Sequence, residues 1–134
     1  MSDQAAVLFI NQAFYHAFAM RDVAAMALVW SEGAAVSCIH PGWQAIDGRE
    51  AVMRSWTGIL TNPQAPKISC RNPVAYVHGD MGYVVCYEVV DGSFLVATNV
   101  FVREEPTWRM VHHQAGVSPR PPVEEGDPPE PTMQ

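Results

Sequence analysis

The sequence predicts an α+β fold, three helices in the N-terminal half packed on an antiparallel sheet. Three observations predict it. Apolar residues recur at helical spacing in three early segments, and β-rich runs fill the chain from Lys67 to Val117. Turn signals at Asp91-Gly92 and at "EEPT" then separate those runs at hairpin distances.

The first helix follows Asp3, a capping carboxylate, with Val7, Ile10, Phe14, Ala17 and Phe18 on one side and Asn11 and Gln12 left polar. "RDVAAMALVW" reads as a second short helix, capped by Asp22 and burying Val23, Met26, Ala27 and Trp30. "AAVSCIH" is a short strand. The third helix opens at "DGRE", where Asp47 and Glu50 have capping-box spacing, and carries Val52, Trp56, Ile59 and Leu60 on one face. The rest is β-like: "KISCRNPVAYVH", "MGYVVCYEVV", "SFLVATNVFVRE" and "WRMVHHQAGV". Asn72-Pro73 should bend or bulge the first of these strands, because proline cannot donate to the ladder.

A chain of 134 residues, 49% of them hydrophobic, fits one domain, here 1–117. Residues 118–134, "SPRPPVEEGDPPEPTMQ", read as a flexible acidic, proline-rich tail. The net charge of −6 gives no electrostatic reason to expect nucleic acid or an anionic membrane surface as partner. Cys38, Cys70 and Cys86 each lie in an apolar run without C-x-x-C spacing, which predicts buried free thiols in a reducing compartment. With no basic leader and no apolar run long enough to span a bilayer, the expected location is the cytoplasm. Neither a cofactor signature nor a metal-ligand motif is present, so cofactors and metals are expected to be none.

The hairpin signal sorts the faces. With Asp91-Gly92 as the loop, Val90 pairs with Ser93, Glu88 with Leu95, Cys86 with Ala97 and Val84 with Asn99. One face is then mixed, carrying Glu88 and Asn99. The other is apolar, with Tyr83, Tyr87, Phe94 and Val96, and demands a cover: a sheet-to-sheet homodimer is the economical answer, the alternative being that the helices cover it and the mixed face lies outside. Pairing Arg103 with Trp108 puts Asn99 opposite His112 and sends His113 to the other face. Adjacent strand residues point to opposite sides, so "VHHQ" is not a metal pair.

The layout resembles the nuclear-transport-factor-2-like superfamily, in particular SnoaL-like and ketosteroid-isomerase-like proteins. The residues behind the resemblance are "INQAFYHAFAMRDVAAMALVW", "AVSCIHPGW", "GREAVMRSW" and "TNVFVREEPTWRMVHHQAGVSP", roughly Val7 to Val117. It implies a curved, cone-shaped sheet wrapped around the helices, a pocket between them and a homodimer. The isomerase's own chemistry does not carry over: "SCIH" stands where the base aspartate would lie, Phe14 stands in the tyrosine's place with Tyr15 beside it, and Asn99 replaces the late-strand acid.

What remains is a candidate site of His112, His40 or Glu88 as general base and Asn99 as hydrogen-bond donor. Enclosure would raise the Glu88 pKa. Tyr15, Trp43, Trp56, Phe101 and Met110 are the expected ligand-binding residues. Two functions stay open: a small hydrophobic molecule bound in an apolar pocket, with isomerase-, cyclase- or hydratase-type proton transfer on a carbonyl, or a non-catalytic binding or interaction module whose cone is filled by its own side chains.

Overall fold

Three helices, α1 (Asp3–Ala19), α2 (Val23–Val29) and α3 (Arg49–Thr61), pack on one six-stranded sheet. Its strands are β1 (Ser37–Ile39), β2 (Ile46–Asp47), β3 (Ile68–His78), β4 (Met81–Val90), β5 (Ser93–Glu104) and β6 (Thr107–Ser118), in the order β2-β1-β6-β5-β4-β3. The computed structural model describes residues 1–122, so most of the expected tail, 123–134, lies outside the described residues. The architecture is α+β as expected, but the sheet is mixed. β1 runs parallel to β6 and aligns Cys38 with His113. A parallel neighbour needs a long crossover, and the chain from α3 through β5 supplies it.

Ser2, not Asp3, caps α1, its Oγ accepting from the Ala5 amide at 3.1 Å. Asp3 sits in the first turn and receives Arg103 through two hydrogen bonds of 2.9 and 2.7 Å. Arg103 also donates to Asp80 at 3.0 Å and lies 4.6 Å over the Trp108 ring, which ties the start of α1 to the β3–β4 turn and the β5–β6 hairpin. Val7, Asn11, Phe14, Tyr15 and Phe18 form the buried stripe of this helix. Asn11 therefore belongs to the core rather than to a solvated side.

Asp22 caps α2 as expected, accepting from Ala25 at 3.0 Å. The helix ends at Val29, one residue earlier than read, and Trp30 instead bridges to Met110 of β6. Arg49 donates to the carbonyls of Trp30 at 2.8 Å and Ala27 at 3.0 Å, satisfying acceptors that the helix end leaves open. The capping box expected at Asp47 and Glu50 does not form. Gly48, at φ 89°, is the cap residue and Asp47 is drawn into β2 opposite Ser37.

The β4–β5 hairpin has the register read from Asp91-Gly92, with both loop residues at positive φ, 47° and 80°, as a type I′ turn requires. β3 is irregular between Arg71 and Val74, at Asn72-Pro73. The β5–β6 hairpin starts as read, Arg103 opposite Trp108 and Phe101 opposite Met110, but then slips by one, so that Val100 faces His112 and Asn99 faces His113. Val111 is the extra residue. This corrects the expected pairing of Asn99 with His112: the bulge lies inside the strand, beyond the turn that set the count, and brings His113 inward. The mixed face, with Val84, Cys86, Glu88, Ala97 and Asn99, packs against the helices and is buried. The opposite face leaves Val74, Tyr76 and Val96 exposed at 47%, 44% and 37%.

At Gly82 α1 lies close against β4, since a Cβ there would lie 3.0 Å from a Val7 methyl and 3.3 Å from the Tyr76 carbonyl oxygen. Gly82→Ala should lower stability by about 1–2 kcal/mol. Urea denaturation checks this, and the loss should shrink in a Val7→Ala background, where the methyl is gone.

Candidate functional site

A cavity of about 480 Å³ opens between the helices and the sheet, walled by Phe18, Trp43, Trp56, Ile59, Ile68 and Leu95. Its buried polar floor consists of His40, Glu88 and His113, only 4%, 2% and 3% exposed, and the exposed Asp91 and Ser93 also line it. Three separate parts of the chain supply the floor.

His40 arrives by way of β1. The parallel pairing with β6 sets Cys38 beside His113, so His40, two residues on, enters from the same face. Pro41 and Gly42 then turn the chain, with Gly42 at φ 79° and the Trp43 amide donating to the His40 carbonyl at 2.9 Å. Trp43 and Trp56 meet the His40 ring edge-on from two directions, each with centroids 4.7 Å away. The Ser55 hydroxyl gives its hydrogen to the Val52 carbonyl at 2.7 Å, so it accepts from His40 Nε2–H at 2.9 Å. Burial lowers the His40 pKa to about 4, which leaves a neutral ring with the Nδ1 lone pair free of that bond.

Asn99, fully buried behind the floor, sets the state of His113. Its Nδ2 donates to Asn11 Oδ1 at 2.8 Å and to the Tyr15 hydroxyl at 3.2 Å. With both amide hydrogens spent, Oδ1 accepts from His113 Nδ1–H at 2.5 Å. The unprotonated nitrogen of His113 is therefore Nε2, and it faces Glu88 Oε2 at 4.0 Å. Burial, reinforced by repulsion from His40 and His112, lowers the His113 pKa to about 3. Tyr15 donates to Glu88 Oε2 at 2.6 Å. Burial raises the Glu88 pKa above the ordinary carboxylate value, against the opposing pull of that hydrogen bond. A neutral imidazole and a carboxyl group whose pKa burial raises thus stand together under largely apolar walls.

His112 lies on the other face of β6, half-buried, its Nδ1 2.7 Å from Ser37 Oγ. Phe101 and Met110 are wholly buried core residues beneath the floor, and Tyr15 stands behind Glu88 rather than in the cavity. Trp43 and Trp56 are cavity walls. Sequence reasoning missed His113, Asn11 and Ser55. Asn11 was within reach, since it lies four residues before Tyr15 and four after Val7 on one helical stripe. Among the described residues no group of three or more His, Cys, Asp or Glu side chains is disposed to hold a metal ion, and no helix is long and apolar enough to cross a membrane.

A family model for the SnoaL-like domain matches residues 7–119. Among curated proteins the chain is similar to F-box protein SKIP8 of Arabidopsis thaliana, 30% identical over 114 residues, 84% of this chain and 49% of that one. The chain thus spans about half the length of that relative. Among solved structures, a putative dehydratase of the NTF2-like family from Streptomyces avermitilis is 30% identical, with a TM-score of 0.79 over 87% of this chain and 96% of that one. A putative calcium/calmodulin-dependent protein kinase type II association domain from Thiobacillus denitrificans is 29% identical, with a TM-score of 0.72 over 81% and 92%.

The buried histidines make stability depend on pH. An unfolded histidine binds a proton below its ordinary pKa of 6.5, whereas folded His40 and His113 stay neutral to about 4 and about 3. Stability is therefore complete above that value and is lost as pH falls, by up to about 1.4 kcal/mol per pH unit for each ring. Glu88 acts with the opposite sign, losing stability as pH rises through its raised value. Urea titrations between pH 7.5 and 4.5 should show the acid-side slope reduced by about one proton in His113→Gln and steepened in Glu88→Gln.

Proposed function

The chain belongs to the SnoaL-like domain family, and we propose that it is an acid/base enzyme that dehydrates, or hydrates, a neutral hydrophobic carbonyl compound held in the cavity. The observation carrying this reading is the facing pair His113 Nε2 and Glu88 Oε2, 4.0 Å apart on the floor of a largely apolar cavity. His113, its tautomer held by Asn99, takes the proton from the carbon next to the carbonyl. Glu88 in its acid form gives a proton to the departing hydroxyl, which leaves as water. The proton on His113 then passes to the Glu88 carboxylate, and both groups return to their starting states. His40 is a second candidate base. No lysine or arginine lines the cavity, which disfavours carboxylate and phosphate ligands. The volume suits a drug-sized or polycyclic molecule, with Trp43 and Trp56 as flat walls. The dehydratase description of the Streptomyces neighbour agrees with this class of reaction.

A second reading is favoured by a different observation. Val74, Tyr76 and Val96 are apolar and exposed on one sheet face, and a neighbour of the chain is described as an association domain. We propose that this face joins two copies as a homodimer, which is compatible with catalysis and would remain if the cavity proved inert. The three unpaired cysteines suit a cytoplasmic setting.

Neutral polycyclic and aryl β-hydroxyketones form the test panel, with binding read from Trp43 fluorescence and turnover from enone absorbance. His113→Gln and Glu88→Gln should each lower kcat about 100-fold or more while binding changes little, and His112→Ala should leave both unchanged. Binding without turnover anywhere in the panel would leave the ligand-binding module as the function. Val96→Glu should convert a dimer to a monomer in sedimentation equilibrium; an unchanged mass would remove the sheet interface.

A further inference from the structure

A second cleft, about 280 Å³, opens between α1 and β3 and is lined by Leu8, Asn11, Gln12, Tyr15, Cys70 and Pro73. Half-buried Cys70 is its thiol. The β3–β4 ladder breaks beside it: Arg71 pairs with Tyr87 and Val74 with Val85, so Cys86 has no direct partner on β3 and faces the bulge at Asn72-Pro73. Cys70 aligns with Glu88, two residues beyond Cys86 on β4, so the two thiols share the inner face on neighbouring strands beside that break. Asn11 Nδ2 approaches Cys70 Sγ at 3.9 Å from the helix side, and the Tyr15 hydroxyl lies 3.2 Å from Cys86 Sγ. Neither thiol has a role in the chemistry of the main cavity.

We propose that Cys70 and Cys86 are a peroxide-reactive thiol pair, Cys70 being the sulfur attacked from the side cleft and Cys86 the thiol that resolves it. The surroundings divide the two roles. The neighbouring Cys86 and the Asn11 amide favour the Cys70 thiolate and hold its pKa below the usual thiol value. Cys86 is fully buried and its pKa is raised by the neighbouring Cys70 and by burial, which favours the thiol. Cys38, fully buried and pushed up to about 12, is an internal control on the same chain.

In the first step the Cys70 thiolate attacks one oxygen of hydrogen peroxide, the O–O bond breaks, and Cys70 becomes a sulfenic acid as hydroxide leaves and takes up a proton. In the second, Cys86 sulfur displaces that hydroxyl, forming the disulfide and releasing water. The two thiols lose two electrons and two protons, and one peroxide becomes two waters. Closing the bond draws Cys86 away from Tyr15, the residue that hydrogen-bonds Glu88. Oxidation at the side cleft therefore reaches the floor of the main cavity.

The test uses the full chain and hydrogen peroxide, with intact-mass and non-reducing peptide analysis. The expected product is a single Cys70–Cys86 disulfide, two hydrogens lighter and reversed by a dithiol, formed at least about tenfold faster than any oxidation of Cys38. In Cys86→Ser the reaction should stop at a sulfenic acid on Cys70 that a 1,3-diketone traps. Should that variant fail to fold, the wild-type map decides alone. Oxidation of Cys38 at a comparable rate, or Cys70 passing to sulfinic acid without a crosslink in the wild-type chain, would overturn the proposal. Neither readout depends on turnover in the main cavity.

Discussion

The saturation of one buried amide governs the interior. Asn99 has no access to water, so each unmet hydrogen bond would cost about 1–3 kcal/mol. Both its hydrogens are committed, to Asn11 on α1 and to Tyr15 one turn further along. Its oxygen can then only accept, and the tautomer of His113 follows from that remainder. A polar network of this kind specifies one arrangement because every partial alternative strands a donor or an acceptor in a low-dielectric interior. The helix is thereby keyed to the sheet at one rotation, and the chemistry of the floor and the seating of α1 share one constraint.

Arginines perform the complementary task at the edges. Arg103 gathers Asp3, Asp80 and the Trp108 ring, while Arg49 closes the carbonyl end of α2. The planar guanidinium suits both duties, since its fixed fork of donors can serve several acceptors from separate elements at once. Between these clamps the sheet bends where its ladder is irregular, at Asn72-Pro73 on β3 and at Val111 on β6. Bulges increase local twist and coiling, and here the two irregular strands curve the sheet around the helices.

The fold was legible in the sequence because its signals are local. Helical spacing marks all three helices, and Asp91-Gly92 determines the β4–β5 register residue by residue. That count alone put Glu88 and Asn99 on one face of the sheet, though it did not say which face the helices cover. The histidine pair was not so placed, because a bulge within a strand leaves no turn residue to announce it, and a single inserted residue reverses which neighbour points inward. Helix caps misled by one residue for a related reason. Asp3 and Asp47 have suitable chemistry, but Arg103 and the β1–β2 pairing claim them first. The parallel course of β1 has no short-range signature at all, and with it went any view of how His40 meets His113.

That parallel course also says something about the order in which the molecule is built. The contact of Ser37 with His112 joins residues 75 apart in the chain. Loop-closure entropy must be met before so distant a contact returns anything, whereas β3 to β6 are joined by tight turns and can zip in sequence. The three-residue β1 has too few ladder bonds to nucleate by itself, so it docks on β6 as an existing template. His40 thus joins Glu88 and His113 late in folding, and a chain caught before that moment would have most of its sheet but a cavity with one wall missing.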